Sequence, residues 1–293
     1  MKTITRVGKI IVLGARRCGK SSTLASMMHS LDSSHPNIRV RCADTRTEDV
    51  MREKICDLKQ IFKSTDQNFT DTVHDTERSM DADINTYNFD VTLCKHLTFK
   101  VACTDIPGEK LTTDLTVLSE FAKDANVIIV AIDTPYLMEK PESLGISLNY
   151  VKNITELIKA ATIETNDSKQ LLLVPMKCEK YAHSNRMGEV VSGIQNAYRD
   201  LILYWRQKYS NTPAYIVPVQ TLGDLEFSKF EKVGNSEVAQ YKYVGNRNFS
   251  PRWCELPMIC SLRHMLMLSW ENIKFELQPS NTKKKFARFL SNI

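Results

Sequence analysis

A three-layer α/β/α fold on a mostly parallel sheet is what this sequence predicts, and three observations predict it. Near the N-terminus the apolar run Ile10-Ile11-Val12-Leu13 feeds a glycine-framed loop, and Ser21 to Met28 follows with the small and apolar residues of a packed helix. Two further runs, Asn126 to Ile132 and Gln170 to Pro175, are almost wholly apolar, as strands covered on both faces must be. Segments of helical spacing alternate with these strands, the pattern of a parallel sheet with helices on both sides.

Taken in order, Val40 to Ala43 is ambiguous, and Thr47 to Phe62 has helical spacing with Val50, Met51, Ile55, Leu58 and Ile61 inward. Lys63 to Thr86 is polar, rich in Thr, Asp and Ser, and without apolar periodicity, which marks a functional or mobile segment. Tyr87 to Leu93 and Leu97 to Cys103 alternate with period two, a hairpin running up to Asp105. Helices are expected at Leu111 to Ala125, Leu148 to Glu164 and, as one long element, Gly188 to Tyr209, with a last strand at Ala214 to Val219. From Leu222 to Asn248 the pattern weakens around Gly223, Gly234 and Gly245, and Leu256 to Phe275 recovers helical spacing, with methionines suited to core packing. The organisation expected is a nucleotide-type domain over residues 1–222, then an irregular segment and a helical C-terminal extension over 223–293, packed on the same domain.

The chain has 293 residues, 42% hydrophobic and 25% charged, an ordinary globular composition with room for a large core. Its net charge of +5 is too weak to argue for nucleic acid. No segment approaches the ~20 apolar residues of a membrane span, and the N-terminus lacks a signal peptide's apolar core, so a cytoplasmic protein is expected. The eight cysteines form no C-x-x-C pair and no zinc-type cluster, which points to reduced structural thiols. Cys18 alone lies where a helix N-terminus lowers a thiol's pKa, the other reading being a small space-filling residue. Lys283-Lys284-Lys285 with Arg288 reads as a solvated tail, with membrane or partner contact through Phe286, Phe289 and Leu290 as the alternative.

Gly14-Ala15-Arg16-Arg17-Cys18-Gly19-Lys20-Ser21 is a complete G-x-x-x-x-G-K-[ST] phosphate-binding loop. In such a loop backbone N–H groups from Gly14 through Ser22 wrap the phosphates. Lys20 reaches the outer ones, the Ser21 hydroxyl ligates Mg²⁺, and the helix dipole points at the anion. Asp105-Ile106-Pro107-Gly108 is a D-x-x-G element: the carboxylate can hold the Mg²⁺ shell, and Gly108 can offer its N–H to a γ-phosphate. Met176-Lys177-Cys178-Glu179 keeps the lysine and carboxylate spacing of an N-K-x-D base-reading element, with Met for Asn and Glu for Asp; the alternative is a solvated charge pair. Thr221 and Leu222, in Val219-Gln220-Thr221-Leu222, occupy the place of a base-contacting loop.

In this order the motifs resemble a GTPase domain of the translation-factor and Ras-like class over about Lys9 to Leu222. Pro175 to Tyr181 together with Pro251 to Pro257 resembles the double-GTPase 2 group of bacterial GTPases found in predicted conflict or anti-phage gene clusters. The resemblance implies GTP/GDP and Mg²⁺ as ligands and a switch that signals to an effector or regulator protein. The polar stretch would order when a threonine ligates Mg²⁺, with Thr76 first and Thr72 second. Glu109 stands where Ras-like proteins place a water-orienting Gln; a carboxylate there either repels the γ-phosphate or acts as a catalytic base, so slow intrinsic hydrolysis is one expectation. Arg17, or else Arg16, is the candidate arginine finger, swung onto the phosphates when a partner or second copy docks on the nucleotide face; such a finger supplies about 10³ to 10⁵ in rate. Two other readings stay open: a nucleotide-loaded scaffold with negligible turnover, and a P-loop ATPase or small-molecule kinase.

Overall fold

In a computed structural model of the chain, residues 2–34, 37–63, 68–70, 83–93, 97–165, 167–233 and 236–272 are described. The elements run β1 (Lys2–Gly14), α1 (Lys20–Ser34), β2 (Ile38–Cys42), α2 (Thr45–Ile61), β3 (Asn68–Thr70), β4 (Asn85–Leu93), β5 (Leu97–Asp105), α3 (Lys110–Thr113), α4 (Leu115–Asp124), β6 (Val127–Asp133), α5 (Thr134–Glu139), α6 (Glu142–Leu148) and α7 (Val151–Thr162). They continue with β7 (Gln170–Met176), α8 (Glu179–His183), α9 (Met187–Ala197), α10 (Arg199–Lys208), β8 (Tyr215–Ile216), β9 (Leu225–Val233), β10 (Ser236–Tyr243) and α11 (Leu256–Asn272).

The main sheet has the order β2-β4-β5-β1-β6-β7-β8. Only the β2–β4 and β4–β5 pairs are antiparallel. Because β1 and β6 are covered on both faces, successive residues feed opposite cores. Ile10, Val12, Val127 and Ile129 pack with Leu24, Met27, Met258 and Leu262 on one side. Ile11, Leu13, Ile128 and Val130 pack with Leu118, Ile154, Leu157 and Trp205 on the other. That two-sided burial is the three-layer architecture, and α11 supplies part of one layer through Met258, Ile259, Leu262 and Met265. Met267 is exposed, so the methionines are divided between core and surface.

Several elements differ from the sequence expectation. The helix expected at Leu111 to Ala125 is two helices, parted at Asp114, whose backbone (φ −125°, ψ 37°) leaves helical geometry after the weak helix formers Thr112 and Thr113. The long helix to Tyr209 likewise divides at Tyr198, whose ring is buried at the joint. The helices α5 and α6 escape periodicity because each is under two turns long, with Pro141 between them. Of the ambiguous Val40 to Ala43, Val40 to Cys42 resolves as part of the edge strand β2, and Ala43 follows it as a bend.

The weak segment after Leu222 is a hairpin, β9–β10, extended by β3 into a second sheet. Its Leu225, Phe227, Ala239 and Tyr241 pack on Leu58 and Ile61 of α2. A register shift between Gln240 and Tyr241 breaks the alternation that would have announced it. Most of the polar Lys63 to Thr86 stretch, and the Lys283 to Lys285 tail, lie outside the described residues. No helix among the described residues is long and apolar enough to cross a membrane.

Candidate functional site

The loop between β1 and α1 has the form of an anion cradle. Gly14 sits at φ +154°, and a Cβ there would lie 2.5 Å from the Ala131 carbonyl oxygen, so this turn requires glycine. Lys20 Nζ donates to the carbonyls of Gly14 and Ala15, each at 3.0 Å, so its ammonium lies across the loop. Gly19 O accepts the amide of Thr23 at 2.8 Å, and Ser21 and Ser22 stand half-buried in the first turn of α1. Arg16 and Arg17 are exposed, and Arg17 adopts φ +61°, uncommon for a non-glycine residue and concentrated at functional turns. Cys18 is fully buried, and burial pushes its thiol up. The lowered-pKa reading of Cys18 is therefore corrected: desolvation outweighs the Lys20 charge, leaving the space-filling role.

The β1–β5 register brings the second motif alongside. Val12 stands opposite Asp105, and Ile106 N donates to Val12 O at 3.1 Å. Across this seam Ser21 Oγ donates to Asp105 Oδ2 at 2.6 Å. A hydroxyl and a carboxylate are both hard oxygen donors, a set that suits Mg²⁺. Gly108 lies against the phosphate loop: a Cβ there would come 2.3 Å from Arg16 N. Beside it, Arg16 Nε meets Glu109 Oε1 at 2.9 Å. Thr76 and Thr72, named from sequence as Mg²⁺ ligands, lie outside the described residues.

The third motif follows β7. Lys177 adopts φ +57°, and its Nζ pairs with Asp133 Oδ2 at 2.9 Å in a largely buried contact. Glu179 is 1% exposed, and its Oε1 accepts the amide of Leu222 at 2.9 Å. Burial raises the Glu179 carboxyl to about 7, against the opposing pull of the backbone N–H groups of Leu222, Glu179 and Gly223. The alternative of a solvated charge pair is thus overturned: both groups are buried, each with its own internal partner.

Thr23 ties these loops to α1, with Oγ1 3.1 Å from Met176 Sδ and 3.0 Å from Thr221 Oγ1. From beyond the hairpin, Arg252 exchanges backbone hydrogen bonds with Gln220 at 2.9 Å, and Cys254 Sγ donates to Gln220 O at 3.3 Å. The hairpin itself lies over this end of the site. Lys177 Nζ is 5.8 Å from the Tyr241 ring centre, and Lys180 Nζ is 5.2 Å from that of Phe227. His183 Nδ1 lies 3.0 Å from Glu226 Oε2.

Sequence reasoning missed Thr23, Asp133 and Tyr241. Asp133 carried a usable signal, a carboxylate ending an apolar strand adjacent to the phosphate-loop strand. Thr23 and Tyr241 carried none, because their roles depend on partners over 150 and about 60 residues away.

A strand, a glycine-framed loop and a helix at the centre of a mostly parallel sheet, with a carboxylate motif on the neighbouring strand, define a P-loop nucleotide-binding domain. More narrowly, the chain belongs to the Double-GTPase 2 family, whose profile matches residues 9–209. That membership supports GTP binding. No curated protein matches the chain. Among solved structures it is similar to the S. cerevisiae Ski7 GTPase-like domain bound to GTP, at 15% identity and a TM-score of 0.48, covering 88% of this chain and 50% of that one. A bacterial selenocysteine-specific elongation factor, EF-Sec, matches at 15% identity and 0.34, covering 73% and 25%. Sup35 complexed with GDP matches at 15% and 0.36, covering 74% and 37%. The chain thus spans half the length of the Ski7 chain and less of the other two.

Proposed function

We propose that this protein is a GTP-binding switch that hydrolyses GTP and signals to a partner protein, in the cytosol, within a bacterial conflict or defence system. The observation that carries the reading is the meeting of Ser21 and Asp105, from two separate motifs, at the mouth of a loop crossed by Lys20. In this assignment backbone N–H groups from Gly14 to Ser22 cradle the phosphates and Lys20 turns outward to the β and γ groups. Ser21 and Asp105 hold Mg²⁺, which when bound neutralises phosphate charge. Gly108 offers its N–H to the γ-phosphate. The Lys177 stem covers the base, Glu179 accepts its N–H donors, and the Thr221–Leu222 backbone borders it. Arg17, exposed on the loop, is the arginine finger, completed when a partner or second copy docks.

Binding of fluorescent GTP and ATP analogues to wild type, Lys20→Ala and Glu179→Ala, followed by phosphate release, tests this. GTP preference lost in Glu179→Ala, with measurable release by wild type, is expected. ATP preference untouched by Glu179→Ala would refute it in favour of an ATPase or kinase. A scaffold with negligible turnover is the second reading, favoured by the engagement of Glu109 with Arg16. Tight GTP binding without phosphate release would select it.

A further inference from the structure

The outer end of the phosphate cradle carries an arginine and a carboxylate in contact, Arg16 Nε and Glu109 Oε1 at 2.9 Å. Their placement follows from the backbone. Gly108 abuts Arg16 so closely that a Cβ would strike its amide nitrogen, which fixes the next residue, Glu109, within reach of the Arg16 side chain. Lys110, the cation adjacent in sequence to Glu109, is turned to Asp114 at 3.5 Å. The phosphate loop therefore supplies the cation that meets Glu109. On the nucleotide-site reading above, on which this inference rests, this is where the third phosphate of a triphosphate would arrive, and a diphosphate would not extend so far. A bare carboxylate at that point would repel the γ-phosphate more than it repels anything on a diphosphate.

We propose that Arg16 and Glu109 form one charge-compensated unit that sets the preference of the site for triphosphate over diphosphate. Arg16 is the positioning residue in this unit. Its guanidinium offsets Glu109, so that a carboxylate can stand beside the γ-phosphate without expelling it. Glu109 in turn holds Arg16 at the rim, where it reads the terminal phosphate charge. This gives Arg16 a role of its own at the rim, distinct from the docking-dependent role proposed for Arg17.

The test measures binding of a non-hydrolysable GTP analogue and of GDP to wild type, Arg16→Ala, Arg16→Lys, Glu109→Gln and the double variant Arg16→Ala/Glu109→Gln. Both side chains are substantially solvent-exposed (45% and 33%), so truncation opens no core, and thermal melting verifies the fold. Arg16→Ala should weaken the triphosphate analogue about fivefold more than GDP, the scale of a partly exposed charge pair. Adding Glu109→Gln should restore most of the ratio, because the uncompensated charge is then gone. Arg16→Lys should fall between wild type and Arg16→Ala, and Glu109→Gln alone should tighten the analogue relative to GDP. Equal weakening of both nucleotides by Arg16→Ala, or no rescue in the double variant, overturns the proposal. If wild type binds neither nucleotide, the site reading itself fails, an outcome distinct from an unchanged ratio.

Discussion

Replacing Glu179 by Gln should stabilise the protein at pH 8 and leave it near wild type at pH 5. The side chain is fully buried, and burial lifts its carboxyl from an ordinary 4.5 to about 7. A carboxyl whose folded value lies above its unfolded one favours folding fully below the unfolded value, near 4.5. That advantage disappears as the pH rises through about 7. Above that pH the fold holds an ionised group at a cost of about 3 kcal/mol relative to the protonated state. Glutamine keeps an oxygen that can accept the Leu222 amide, bonded to Glu179 at 2.9 Å, without the charge. Thermal melting across pH 5 to 8 should show a gain of about 5 to 10 °C for Glu179→Gln at the alkaline end. If the carboxylate also accepts guanine's N–H groups, GTP affinity of wild type should rise from pH 6 to 8, and Glu179→Gln should lose that rise along with affinity. A pH-independent difference in melting, or a variant less stable at pH 8, would refute the assignment of Glu179 as a strained buried acid.

Three other outcomes follow from contacts at the site. Asp133→Ala should cost about 3 kcal/mol in urea unfolding, because it removes the carboxylate that pairs with the buried Lys177 ammonium and the acceptor of the Tyr136 amide in α5. Asp133→Asn, which retains that acceptor, should cost less, and equal losses would contradict the separation of charge from cap. Gly108→Ala should destabilise by about 1 to 3 kcal/mol and weaken nucleotide binding, since the atom it strikes is backbone and cannot turn aside. Wild-type stability and binding in that variant would disprove the close approach. For Arg17→Ala, GTP turnover should lose any dependence on protein concentration that wild type shows, and identical concentration-independent rates would remove the docking-dependent finger.

What the sequence made legible was whatever is built from consecutive residues. A phosphate loop uses the backbone of one short turn, so Gly14 to Ser21 declared it. The doubly covered strands β6 and β7 declared themselves through unbroken apolar runs. The end proposed to hold the base is assembled differently, from Thr23, Asp133, Lys177, Glu179, Thr221 and Tyr241, which meet only after strands and hairpin are in place. Their chemistry was visible in part, at Lys177 and Glu179, but their burial was not, because burial is decided by the hairpin and the Arg252–Cys254 segment folding back over them.

The Arg16–Glu109 pair shows where that boundary lies. Both residues were singled out from sequence, each for its own motif, yet their contact is a property of strand register. Val12 and Asp105 are opposite one another in the β1–β5 ladder, and Arg16 and Glu109 each lie four residues beyond that pair. Parallel register is set by side-chain packing across the sheet, between strands separated here by α1, β2, α2, β3 and β4. A slip of one residue would reverse every β5 side chain between the two faces of the sheet and shift the start of the loop that carries Glu109 relative to the one that carries Arg16. Burial of Val101 and Cys103 in the same core as Ile10 and Val12 opposes that slip. The hydrophobic register of β5 and the charge balance at the phosphate rim are therefore one constraint. A substitution that shifts β5 should disturb triphosphate preference without touching either charged residue.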